Sequence, residues 1–167
     1  KPGSRYKKSD VDEAVEAISV RLGNEGYALA RVNAIPTKDE ENRTVSFSFA
    51  VDAGDRSYVR RINIVGNSRT QDEVFRREMR QMEGALFATS DVERSKVRIQ
   101  RLAHVEDVEV ATEQVSPDEV DLTYSVKERS AGTLQFGVSY GQDSKFGVMG
   151  GFNQANFMGT GHDLSIN

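Results

Sequence analysis

Apolar positions along the chain follow two different periods, and the switches between them mark out its elements. Val11, Ala14, Ile18 and Leu22 recur at helical spacing until Gly23 and Gly26 interrupt them, and Ser9 followed by Asp12 predicts a capped helix start. Strands are predicted over 27–35 and 44–52, the latter alternating as Val45, Phe47, Phe49 and Val51, with turn formers over 36–43 between them. The same order then returns. Ser90 with Glu93 predicts a second helix start, Val92, Ile99 and Leu102 repeat the stripe, and strands over 105–115 and 119–127 flank a turn over 116–118. Ahead of this second set lie a strand over 57–65, the turn Gly66-Asn67-Ser68 and a helix over 71–82.

The order is an internal repeat. Gly3, Tyr6, Ser9, Asp10, Val11 and Asp12 align with Gly84, Phe87, Ser90, Asp91, Val92 and Glu93. Arg21-Leu22 then aligns with Arg101-Leu102, and Val45, Phe47, Phe49 and Val51 align with Val120, Leu122, Tyr124 and Val126. Residue 1 corresponds to Met82, so the first unit is expected to lack a front strand and helix of about 25 residues, and to expose core surface unless something covers it. The second unit reads as strand, helix, helix, strand, strand, an α+β arrangement.

From Gly132 the pattern becomes strict alternation. Leu134, Phe136, Val138 and Tyr140 fall on one face, with Thr133, Gln135, Gly137, Ser139 and Gly141 on the other. Phe146, Val148, Gly150 and Phe152 form a second such run, and His162, Leu164 and Ile166 start a third after the turn at 158–161. Amphipathic strands joined by turns fit either an outer-membrane barrel or a soluble antiparallel sheet packed on the preceding unit. A barrel needs roughly eight strands of ~9–11 residues, so these residues could supply only part of one.

Composition narrows the function classes. A net charge of -4 from 22 basic and 26 acidic residues mixed along the chain predicts neither a nucleic-acid footprint nor a polybasic membrane tether. With no cysteine there is no disulfide framework and no thiolate metal site. His104 and His162 have no ligand spacing to other histidines, and Gly159-Thr160-Gly161 lacks the Gly-Lys-Ser/Thr that would make it a phosphate loop. No nucleophile elbow or marked acid–base pair is present, so no catalytic residue, metal or cofactor is expected.

Three stretches carry a specific resemblance: 58–67 (YVRRINIVGN), 76–84 (RREMRQMEG) and 126–129 (VKER). Together they resemble the outer-membrane β-barrel assembly factors of the POTRA-containing insertase superfamily. The resemblance implies POTRA repeats of order β-α-α-β-β, a mixed three-stranded sheet with two helices on one face, followed by the first antiparallel strands of a transmembrane β-barrel. It divides the chain into the C-terminal part of a penultimate POTRA domain (1–54), the last, membrane-proximal one (55–129) and truncated barrel strands (132–167). The implied function is folding and inserting β-barrel proteins into the bacterial outer membrane, without a chemical step, with POTRA domains in the periplasm. Implied partners are BamD-like and BamB-like lipoproteins, unfolded outer-membrane protein clients, and lipid around the complete barrel. Two-partner secretion transporters and translocation-and-assembly barrels share this architecture, and a soluble periplasmic binding module is the alternative from another class.

Within the 71–82 helix, Phe75, Met79, Met82 and Leu86 form the expected buried stripe. Asp72, Arg76, Arg80 and Glu83 lie on its flank, read either as a solvated face or, on the resemblance, as the docking patch for a lipoprotein. Leu134, Phe136, Val138 and Tyr140 mark the strand that the resemblance makes the lateral gate. Strand edges at 28–35 and 108–115 are candidates for pairing with extended clients. Glu106, Asp107, Glu109 and Glu113 make the second acidic, which protects an edge.

Overall fold

The computed structural model describes residues 5–129, 132–139, 146–154, 156–162 and 164–166. The elements run α1 (Lys8–Asn24), β1 (Arg31–Asp39), β2 (Thr44–Asp52), β3 (Tyr58–Val65), α2 (Asp72–Arg76), α3 (Thr89–Gln100), β4 (Val105–Ser116), β5 (Glu119–Glu128), β6 (Gly132–Ser139), β7 (Gly147–Gln154), a 3₁₀ turn (Phe157–Gly159) and β8 (Leu164–Ile166). They form three sheets of order β1-β2, β3-β5-β4 and β6-β7-β8. The chain forms two compact units: one of Lys1–Ile62, Gln81–Glu93 and Thr112–Leu122, the other of Asn63–Arg80, Arg94–Ala111 and Thr123–Asn167.

In the first unit α1 starts one residue ahead of the expected cap. Lys7 occupies the N-cap in extended backbone, while the Ser9 hydroxyl turns to the Asp10 carboxylate at 3.4 Å instead of capping. The helix ends where predicted, at Gly23 and Gly26, and Gly26 holds φ +101. Leu86 packs where a Gly26 side chain would go, and the Gly26 carbonyl accepts the Ser57 N–H at 2.8 Å. Asn24 Oδ1 likewise accepts the Ser90 N–H at 2.8 Å, so the end of α1 is tied to the second repeat. Ser90 lies inside α3, which starts at Thr89, and is therefore not its cap.

β1 and β2 pair antiparallel with Val32 opposite Val51, Ala34 opposite Phe49 and Pro36 opposite Phe47. The predicted alternation thus becomes one apolar face, on which Tyr6 stacks over Phe47 at 5.6 Å. β1 runs several residues later than expected and continues through Pro36. Both strands of a two-stranded sheet are edges, where a missing N–H is tolerated.

The sheet β3-β5-β4 is mixed, with β5 central. β4 and β5 are joined by Pro117-Asp118 alone and so run antiparallel. At its start β3 donates Tyr58 N–H to Asp118 O at 2.7 Å, and at its end Gly66 lies against Val126 O, a parallel progression. The carboxylate of Asp121 grips the Arg60 guanidinium with both oxygens, at 2.9 and 2.6 Å. That hydrogen bond, with the Arg60 charge, holds the Asp121 carboxyl below the usual carboxylate range against the effect of burial.

In this second repeat the alternation becomes a core. In the first unit Val59, Ile62, Phe87, Val92, Val120 and Leu122 are buried; in the second, Val74, Phe75, Met79, Ile99, Val105, Val108, Tyr124 and Val126 are. Burying each such side chain stabilises by about 1.5–3 kcal/mol relative to exposure.

Candidate functional site

The predicted docking helix is much shorter than expected. α2 ends at Arg76, and the chain further on is held in another shape by Gln81. Its buried amide donates to Leu86 O at 3.1 Å and accepts the Ala88 N–H at 2.9 Å, organising 82–88 as a turn instead. Phe75 and Met79 are buried as expected, but Met82 is 58% exposed because it is no longer on the helix. Leu86 is half-buried beneath Gly26.

The four flank residues consequently part company. Asp72 and Arg76 form the anticipated i,i+4 pair at 2.6 Å, with both side chains nearly half exposed, an arrangement worth about 0.2–0.5 kcal/mol. Arg80 follows off the helix. Its backbone N–H donates to Ser95 Oγ at 2.8 Å, and its guanidinium donates to Met79 O at 2.9 Å.

Glu83 sits at the edge of β3, its carboxylate accepting the Ile62 N–H at 2.7 Å. From there the chain runs along the outer edge of β3. Gly84 N–H donates to Val59 O at 2.7 Å, Val59 N–H to Ala85 O at 2.9 Å, and Phe87 N–H to Ser57 O at 2.9 Å. Glu83 is therefore the last rung of a ladder that protects the β3 edge. The opposite edge is β4, where Glu106 pairs with Lys127 at 2.8 Å.

A second constellation, which the sequence reading missed, lies at the other end of β3. Glu128 accepts the backbone N–H groups of Arg69 and Thr70, each at 2.9 Å, and the Ser68 hydroxyl at 3.1 Å. Partial burial disfavours the charged form of Glu128, but these hydrogen bonds outweigh it and keep its carboxyl below the usual Glu value of 4.5.

The turn held in this way is gripped from the far side by the segment between β7 and β8. Asn156, in left-handed backbone at φ 59, donates from Nδ2 to Thr70 Oγ1 at 2.6 Å and accepts the Gly161 N–H at 2.7 Å. Gln71 N–H donates to Gly159 O at 3.0 Å, and Gly159 at φ +75 lies against Arg69 O, where no side chain would fit. No local pattern could have revealed partners some sixty to ninety residues apart.

The third feature is the apolar sheet. β6 and β7 pair antiparallel with Leu134 opposite Phe152, Phe136 opposite Gly150 and Val138 opposite Val148; β8 adds Ile166 opposite Phe152. These residues share one face, and Leu134, Phe136, Val138, Val148 and Ile166 are between 58% and 76% exposed. Tyr140, expected on this face, lies outside the described residues. Among the described residues these strands form a sheet of their own and do not extend β3-β5-β4.

A family model described as POTRA, surface antigen variable number repeat, matches residues 1–54 and 57–129. The chain is 36% identical over 99% of its length to the outer membrane protein assembly factor BamA of Neisseria meningitidis, and 35% identical over 99% to that of Buchnera aphidicola. It spans only 21% and 27% of those two proteins. Among solved structures, BamA from Haemophilus ducreyi lacking POTRA domains 1–3 matches 99% of this chain at 42% identity and a TM-score of 0.79, over 31% of that chain. The POTRA3–5 structure of Haemophilus influenzae BamA matches 75% at 38% identity and a TM-score of 0.71, over 50% of that chain. With the family model covering both repeats, the chain belongs to the POTRA family, and proteins similar to it across nearly its whole length are outer membrane protein assembly factors.

Proposed function

We propose that this chain is part of an outer-membrane β-barrel assembly factor, with residues 1–54 and 55–129 as its penultimate and membrane-proximal POTRA domains and 132–167 as the first strands of its barrel. The observation that carries the reading is the exposed apolar face of β6, β7 and β8. A face of this size turned outward by register is costly in water and favourable against lipid. The POTRA domains then lie in the periplasm, and β6 is the strand whose free edge would be offered to a client. Flotation of the full chain with phosphatidylcholine vesicles tests this: the chain should float, and Leu134→Asp with Val148→Asp should leave it in the aqueous fraction. A wild-type chain that does not float would overturn the membrane assignment.

Lipoprotein docking at Asp72, Arg76, Arg80 and Glu83 is the finer part of the proposal, for BamD-like partners, with BamB-like lipoproteins as further ones. Because Glu83 also accepts a backbone N–H from β3, loss of charge and loss of fold must be separated. Glu83→Gln keeps the acceptor, whereas Glu83→Lys removes it. A docking role predicts that both weaken capture of the lipoprotein. Full retention with Gln and loss only with Lys would assign Glu83 to the fold alone.

A further inference from the structure

Beside the Asn156 grip lies an open cavity of about 310 Å³, lined by Arg69, His104, Glu128, Arg129, Gln154 and Met158 among others. Its polar groups differ in what they have left to offer. Both Glu128 oxygens are occupied by the 68–70 turn, and Asn156 is spent on Thr70 and Gly161. The His104 ring meets Phe75 edge-on at 6.1 Å, and its carbonyl accepts the Arg129 N–H at 2.8 Å. Arg69 and Arg129, in contrast, both line the cavity, and neither side chain makes an ion pair among the described residues. Two always-charged arginines in the lining of one cavity suit a group with several anionic oxygens. Met158 adds an apolar side chain at the same wall, 76% exposed.

We infer that this cavity is a binding site for a phosphoryl group, held between Arg69 and Arg129 at the boundary between the POTRA repeat and the apolar sheet. The phosphoryl chemistry stands on the cavity alone. Its source as an anionic lipid headgroup rests on the membrane reading above, which would bring the apolar face and this rim to the same lipid surface. The protein as a whole carries a net charge of -4, so its overall field opposes approach to an anionic surface, and any preference for one must come from a local site.

The test uses the full chain with vesicles of phosphatidylcholine alone and of phosphatidylcholine with phosphatidylglycerol. The wild type should bind the anionic vesicles more tightly by on the order of tenfold. Arg69→Gln with Arg129→Gln should abolish that preference while leaving phosphatidylcholine binding unchanged. Arg31→Gln with Lys38→Gln, which removes the same charge elsewhere, should retain it. In parallel, inorganic phosphate at constant ionic strength should shift the Arg69 and Arg129 Nε–H resonances; a shift without any vesicle preference would identify free phosphate as the ligand. The site is overturned if the Arg69/Arg129 variant keeps the anionic preference, or if neither phosphate nor anionic vesicles distinguish it from the wild type. Failure to bind either vesicle would count against the membrane reading, and the phosphate titration would still decide the site.

Discussion

The two repeats share a grammar but not a core. At aligned positions, Phe49 is 37% exposed where Tyr124 is fully buried, and Val51 is 48% exposed where Val126 is 5% exposed. Among the described residues of the first repeat, the only ones in the buried class are Gly23 and Gly26. The alternation is the same; its surroundings differ. β5 is the central strand of its sheet, whereas β2 is one of two edges. An apolar period therefore states which face a strand would bury, and the neighbouring elements decide whether it does.

The sharpest way to break this comparison is a pair of substitutions at one aligned position. Tyr124→Ala should cost about 3–5 kcal/mol and Phe49→Ala only about 1 kcal/mol, read from urea unfolding followed by the amide signals of each repeat. Equal costs would mean that the first repeat has a core of its own. Gly26→Ala should rank next, at about 1–3 kcal/mol, because it forces a side chain into left-handed backbone against Leu86. Protection of the Ser57 amide, which donates to Gly26, should fall with it in hydrogen exchange.

Glu128 sharpens the contrast further, since the first repeat has Ala53 at the aligned position and so no acid to hold a turn. Glu128→Gln should cost about 1 kcal/mol at neutral pH. Because the folded carboxyl is held below its ordinary 4.5, its contribution is complete above that value and fades as pH falls through the lower folded value. The variant should therefore lose less stability on acidification than the wild type, and parallel pH profiles would contradict this. The smallest effect is expected from Asp72→Ala, about 0.2–0.5 kcal/mol, because its ion pair is exposed.

Much of this architecture was legible in local pattern. β2 spans the predicted residues, and β3, β4 and β5 fall within a residue of prediction at each end, because their alternation is long and bounded by turn formers. The failures have specific causes. Pro36 read as a breaker, yet an edge strand accommodates it. Ser9 and Ser90 read as caps, yet both lie inside their helices. The helix over 71–82 had a sound apolar stripe, but the Arg80 N–H, which such a helix would give to Arg76 O, goes to Ser95 Oγ on α3 instead. The docking candidates are therefore split between a short helix and the β3 edge. The Glu128 and Asn156 contacts were invisible for another reason: they join residues far apart in sequence, which only the fold brings together.

If the apolar face of β6 and β7 meets lipid, its residues and those of the opposite face lie in different surroundings. The chain has no tryptophan, so a single one can report on each face separately. With vesicles containing brominated lipid, fluorescence of Phe136→Trp should be strongly quenched and that of Gln135→Trp, on the opposite face, should be quenched far less. Equal quenching of the two, or none at Phe136→Trp, would contradict a lipid-facing sheet.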